Sequence, residues 1–188
     1  MNLKEMKFNF ILLFVIILLN EMKMPKEYKL KSLNLNNEII ITINGTQRQQ
    51  ILSGNQNIIP SEIIVNNQYK TTISYNKYIN NLVDGINNIT IKWNEPLSNC
   101  DSLFWGLKNI LSIDLSNFDS SKVITMNSMF FDCFNLISLD LSKLNTSSVI
   151  DMNYMFSGCR SLESLDLSKL DTSSVKSMNS MFDNCDKL

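Results

Sequence analysis

The sequence has no histidine and no alanine, and it holds only five glycines among 188 residues. Without histidine the chain lacks the commonest general base and the commonest transition-metal ligand. No Cys-x-x-Cys pair replaces the missing imidazoles in a tetrahedral set, so no metal is expected. Five glycines supply no glycine-rich loop to cradle a phosphate, and no cofactor is expected either. An excess of charge of one sign is also lacking: 17 basic residues against 18 acidic ones give a net charge of −1. That balance leaves no electrostatic footprint for nucleic acid or for an anionic membrane surface. Paired carboxylates recur only within a repeated pattern, so no catalytic residue is expected and the chain reads as a non-enzyme.

Long hydrophobic runs are nearly absent too, with one exception. Lys4 and Lys7 precede an uninterrupted apolar stretch, Phe10 to Leu19, of the length of a secretory signal core and about half of what spans a bilayer. Residues 1–23 are therefore expected to be a signal peptide or a signal anchor. The stretch from Asn20 to Pro25 offers no pair of small residues for cleavage, which keeps the anchor open. The protein is expected to be secreted or at the cell surface, touching membrane only through such an anchor. Export makes the Asn-x-Ser/Thr triplets at Asn44, Asn88 and Asn145 candidate N-glycosylation sites.

Residues 24–37 are polar and charged, and read as a linker. Between 38 and 99 lie β-rich runs at Glu38–Ile43, Glu62–Val65, Tyr69–Tyr75 and Ile89–Trp93, with Asn66-Asn67-Gln68 as a hairpin turn. This region is expected to be an N-terminal cap on a repeat array, because the first unit of such an array would otherwise expose an unpaired strand. An independent ligand-binding β-domain is the other reading.

From residue 100 to 188 the chain repeats. Cys133, Cys159 and Cys185 recur at intervals of 26 residues, and their surroundings recur with them. Units run 103–128, 129–154 and 155–180, and 181–188 opens a further one, so the array is expected to continue in a longer protein. Leu136, Leu139 and Leu141 spell L-x-x-L-x-L, the alternation of a short strand. Met126, Met129, Phe130 and Cys133 fall at i, i+3, i+4 and i+7, which predicts a short helix or helical turn. A lone unit cannot bury its apolar stripe, whereas stacked units can. The expected fold class is thus an α/β solenoid with a parallel sheet, short helical turns opposite and a β-rich N-terminal cap.

The units, MF-x-x-C-x-x-L-x-x-LDLS-x-(F/L)-(D/N)-T-S-x-V-x-x-M, resemble the repeats of BspA-like leucine-rich-repeat surface proteins. The resemblance covers Leu103 to Leu188, with Leu107 for the usual Cys, Ile113 for Leu and Asn145 for Asp. It implies a leucine-rich-repeat-like array and adhesion through an exposed face, with an extracellular protein or glycan as partner. With the leucines turned inward, Ser112, Asp114, Ser116, Ser138, Asp140, Ser142, Ser164, Asp166 and Ser168 line up in three outward rows, the candidate binding face. A structural coat or spacer without a ligand is the alternative. The in-phase cysteines could be bridged, since coil spacing lies within disulfide reach, but three thiols cannot all pair and buried free thiols are the simpler reading. Asn127, Asn153 and Asn179 form a further in-phase row, read as an amide ladder.

Overall fold

The computed structural model describes residues 37–45, 47–53, 58–71 and 78–188. The expected leader and all of the expected linker but Asn37 lie outside them.

Alternation shapes the N-terminal half. Strand β1 (Glu38–Asn44) buries Ile39, Ile41 and Ile43 and turns the intervening residues outward. Strands β2 (Gln47–Gln50) and β5 (Tyr78–Leu82) form a separate antiparallel pair. Strands β3 (Glu62–Val65) and β4 (Tyr69–Thr71) make a hairpin whose turn residues Asn66 and Asn67 sit at φ 50° and 57°, a left-handed conformation that asparagine tolerates. Strand β6 (Ile86–Lys92) lies between β1 and β3. At its start the buried Asn87 side chain donates to the carbonyls of Gly45, Val83 and Gly85 and accepts from the Val83 N–H.

The repeats enter this sheet directly. Strand β7 (Ile110–Asp114) belongs to the first unit and runs antiparallel to β1. Strand β8 (Ser138–Leu139), from the second unit, pairs parallel to β7 through Ser112↔Ser138 and Ile113↔Leu139. The six-stranded sheet has the order β4-β3-β6-β1-β7-β8. β1 occupies the edge of β7 that would otherwise present unpaired amides.

The expected α/β leucine-rich-repeat-like solenoid is corrected here. The sheet is mixed, not parallel, and its one parallel pair spans two residues per strand. The third unit adds no strand. Its Asp-x-Ser turn is nonetheless the same as in the first two units: the Ser168 N–H goes to the Asp166 carboxylate, as Ser142 N–H goes to Asp140 and Ser116 N–H to Asp114, each at 2.8 Å.

The helical turns are corrected as well, because the described residues contain no helix. The apolar spacing at Met126, Met129, Phe130 and Cys133 serves a different backbone. Alternate amides leave the segment for the next unit: Met126, Ser128, Phe130 and Asp132 donate to the carbonyls of Asp151, Asn153, Met155 and Ser157 at 2.8–2.9 Å. The amides between them close tight turns, Met129 to Met126, Phe131 to Ser128 and Cys133 to Phe130. A helix would spend all of these amides internally on i−4 carbonyls. Ser128 and Asp132, at φ 55° and 56°, break the helical path twice, and the corresponding positions do so in the neighbouring units.

Units therefore stack through unit-to-unit hydrogen bonds and single parallel bridges, Asn99↔Thr125, Thr125↔Asp151 and Asp151↔Ser177. Inside the stack Phe104, Phe130, Phe156 and Phe182 lie face to face, with centroids 5.8, 5.4 and 5.6 Å apart. The first three are fully buried, together with Met126, Met129, Met152 and Met155.

Candidate functional site

The candidate face is built from one short sequence, Asp-x-Ser, placed after each inward leucine or isoleucine. Asp114, Ser116, Ser138, Asp140, Ser142, Ser164, Asp166 and Ser168 are exposed and Ser112 is partly so. Ser112 and Ser138 are neighbours across β7 and β8. Asp140 and Asp166 lie near enough that the charge of Asp166 acts on Asp140.

Each carboxylate is oriented by its own turn. Asp114, Asp140 and Asp166 accept the backbone N–H two residues on, from Ser116, Ser142 and Ser168, each at 2.8 Å. At Asp140 and Asp166 these bonds favour the ionised acid. The Ser142 backbone N–H, with its hydroxyl, holds the Asp140 carboxyl below the usual aspartate value against the opposing charge of Asp166. The backbone N–H and hydroxyl of Ser168 do the same for Asp166. The result is an ordered set of solvent-facing anions and hydroxyls on a rigid stack. It can accept hydrogen bonds and attract cationic groups.

The other candidates disperse. Asn44 is exposed at the end of β1; Asn88 is exposed on β6 and accepts from the Thr42 hydroxyl at 3.0 Å. Asn145 is exposed, but its carbonyl oxygen accepts both the backbone N–H and the hydroxyl of Ser147, at 3.1 and 2.8 Å. Asn127, Asn153 and Asn179 bond mostly to their neighbours in the turn segments and less to one another. Asn127 reaches Asp151, and the Asn153 carbonyl oxygen accepts from Ser177 and from the Asn179 backbone.

All four cysteines are free thiols. Burial pushes Cys100 and Cys159 up to about 12 and drives Cys133 well above the ordinary thiol value, which suppresses the thiolate needed for nucleophilic attack or metal ligation.

A cavity of about 710 Å³ opens between Ile58–Ser61 and Trp93–Asn99. The sequence carries no hint of it, because neither loop holds a motif. Its size suits a small ligand, and Glu95 is the one charged residue in its lining. The Nε1 of Trp93 is buried there without a hydrogen-bond partner. Among the described residues no general acid–base pair converges on the cavity.

No curated protein and no solved structure matches the chain. One family does match, over residues 86–188, the stretch that contains β6 and every repeat. That span is more than half of the sequence, and the chain therefore belongs to the family described as Mycoplasma protein of unknown function, DUF285.

Proposed function

We propose that this chain is a non-catalytic binding module, displayed outside the cell and engaging an extracellular protein or glycan through the Asp–Ser face of its repeats. The observation that carries the reading is the recurrence of Asp114, Asp140 and Asp166 as exposed carboxylates, each pre-oriented by the amide two residues on. Preorganised polar groups on a rigid support lose little entropy when a partner arrives. Stacked repeats also present them as an extended surface and not as a pocket. The apolar stretch Phe10–Leu19 behind two lysines supports export or anchoring. The resemblance of the repeats to those of BspA-like surface proteins supports the same location and an adhesive role.

A second reading has its own support. The hydrogen bonds that orient the aspartates also stabilise the turns, and a coat or spacer would need the same bonds for shape alone. Arrays of extracellular proteins and glycans separate the two. Specific capture that falls on substitution of the three aspartates supports recognition, and silence across both arrays favours the coat.

A further inference from the structure

The repeats are nearly identical at their buried positions and differ at a few outward ones. In the 26-residue frame, Trp105 and Phe131 are followed by Ser157 and Asp183, and Lys108, Phe134 and Arg160 by Asp186. Buried positions keep apolar residues, as Leu107 does where Cys133 and Cys159 stand, and the phenylalanine stack does not change at all, whereas outward positions carry no such constraint. Those that vary from unit to unit are free to serve something else.

The first two units gather aromatic rings at or beside these places, Tyr154 standing where Ser102, Ser128 and Ser180 do. Trp105 is 51% exposed, Tyr154 is 42% exposed, and Phe131 lies between them with centroids 6.3 Å from Trp105 and 6.4 Å from Tyr154. Three residues along the chain from Phe131, the Phe134 ring is flanked by the Lys108 ammonium at 5.0 Å and the Arg160 guanidinium at 4.9 Å. Neither cation has a carboxylate within ion-pair distance among the described residues. Their contact with one ring holds both heads over Phe134.

We propose that this turn-side surface, with Trp105, Phe131 and Tyr154 as its platform and Lys108, Arg160 and Asp132 at its border, binds a neutral pyranose-based glycan. A sugar ring presents a face of C–H bonds, made slightly positive by the neighbouring oxygens, to the negative face of an aromatic ring. Around its rim it carries hydroxyls that both donate and accept, which suits a border holding donors (Lys108, Arg160) and an acceptor (Asp132). Size argues against a protein partner. Half-exposed rings offer on the order of 100 Å² each, whereas a standard protein interface takes about 800 Å² from each partner. Charge argues against a polyanion, because Asp132, Asp183 and Asp186 accompany the two cations and leave no field of one sign. The site shares with the proposed function only the expectation of an outside ligand, and it uses none of the Asp–Ser residues.

The test is binding of the full chain to an array of neutral, sialylated and sulfated oligosaccharides, followed by titration of any hit with the intrinsic fluorescence of Trp105. Trp105→Ala and Tyr154→Ser should each weaken a neutral-glycan hit roughly tenfold or more, as loss of an aromatic anchor does, with unchanged melting. Asp114→Asn/Asp140→Asn/Asp166→Asn should leave that hit intact, which separates this site from the Asp–Ser face. Absence of any neutral-glycan binding, binding confined to anionic glycans, or binding kept by Trp105→Ala would overturn the proposal. Because Trp93 is buried, a fluorescence change that persists in Trp105→Ala would likewise place the ligand elsewhere.

Discussion

The Sγ of Cys159 lies 3.2 Å from the backbone carbonyl oxygen of Phe130 in the preceding unit, and donates its proton there. Cys133 does the same to Phe104 and Cys185 to Phe156. Each thiol thus ties one unit to the last from inside the core, which explains why the 26-residue period carries a cysteine and not merely a small apolar residue. Weak thiol donors add little singly, and each is a second donor to a carbonyl that already accepts a turn amide, from Leu107, Cys133 or Cys159.

These thiols predict a pH dependence. In the unfolded chain a thiol loses its proton near 9.0, while Cys100 and Cys159 keep theirs when folded up to about 12. The stabilising contribution is whole below the unfolded value and declines between about 9 and 12 as the unfolded state alone ionises. Each such thiol steepens the loss by about 1.4 kcal/mol per pH unit. Urea unfolding of Cys159→Ala should show a shallower alkaline decline than the parent, and identical slopes would deny the thiol its part.

Two glycines at equivalent positions give a matched pair. Gly106 sits at φ +71° with open space where a Cβ would go, whereas a Cβ on Gly158, at φ +78°, would collide with the Asp132 carboxylate and stand 3.3 Å from its Cα. Gly106→Ala should cost only left-handed strain, about 1–2 kcal/mol. Gly158→Ala should cost more, measured as a lower denaturation midpoint. Equal losses would mean that Asp132 moves aside freely.

The phenylalanine stack predicts a gradient. Phe130 is fully buried between two rings, and Phe182 is partly exposed with one. Phe130→Ala should lose about 3–5 kcal/mol, and Phe182→Ala clearly less. A comparable loss at both sites in thermal unfolding would show that stacking does not organise the core.

The repeat, its 26-residue register and the inward Leu, Met and Phe residues are legible in the sequence because packing writes them there. Strands β1, β3 and β6 are legible for the same reason, through alternation. The helical turns are not, because Met126, Met129, Phe130 and Cys133 satisfy a helical stripe and a chain of tight turns equally well. Only the destination of the amides separates the two, and those of Ser128 and Phe130 go to the next unit. The parallel pairing is confined to Ser112–Ile113 and Ser138–Leu139, and the third unit adds no strand. The cavity beside Trp93 and the ring cluster at Trp105, Phe131 and Tyr154 have no sequence signature, since loops distant along the chain assemble the first and outward residues of separate units the second.

The proposed binding role is tested most directly by attachment of the parent and of Asp114→Asn/Asp140→Asn/Asp166→Asn to an extracellular protein and glycan array. Asparagine keeps an oxygen that can accept the Ser116, Ser142 and Ser168 amides, so the turns should persist and melting should change little, with any gain from relieved repulsion largest at low salt. Expected is capture by the parent of a protein or glycan target that is held equally by Trp105→Ala, and a marked loss of that target in the triple variant. Equal capture by a folded triple variant would contradict the assignment of the Asp–Ser face.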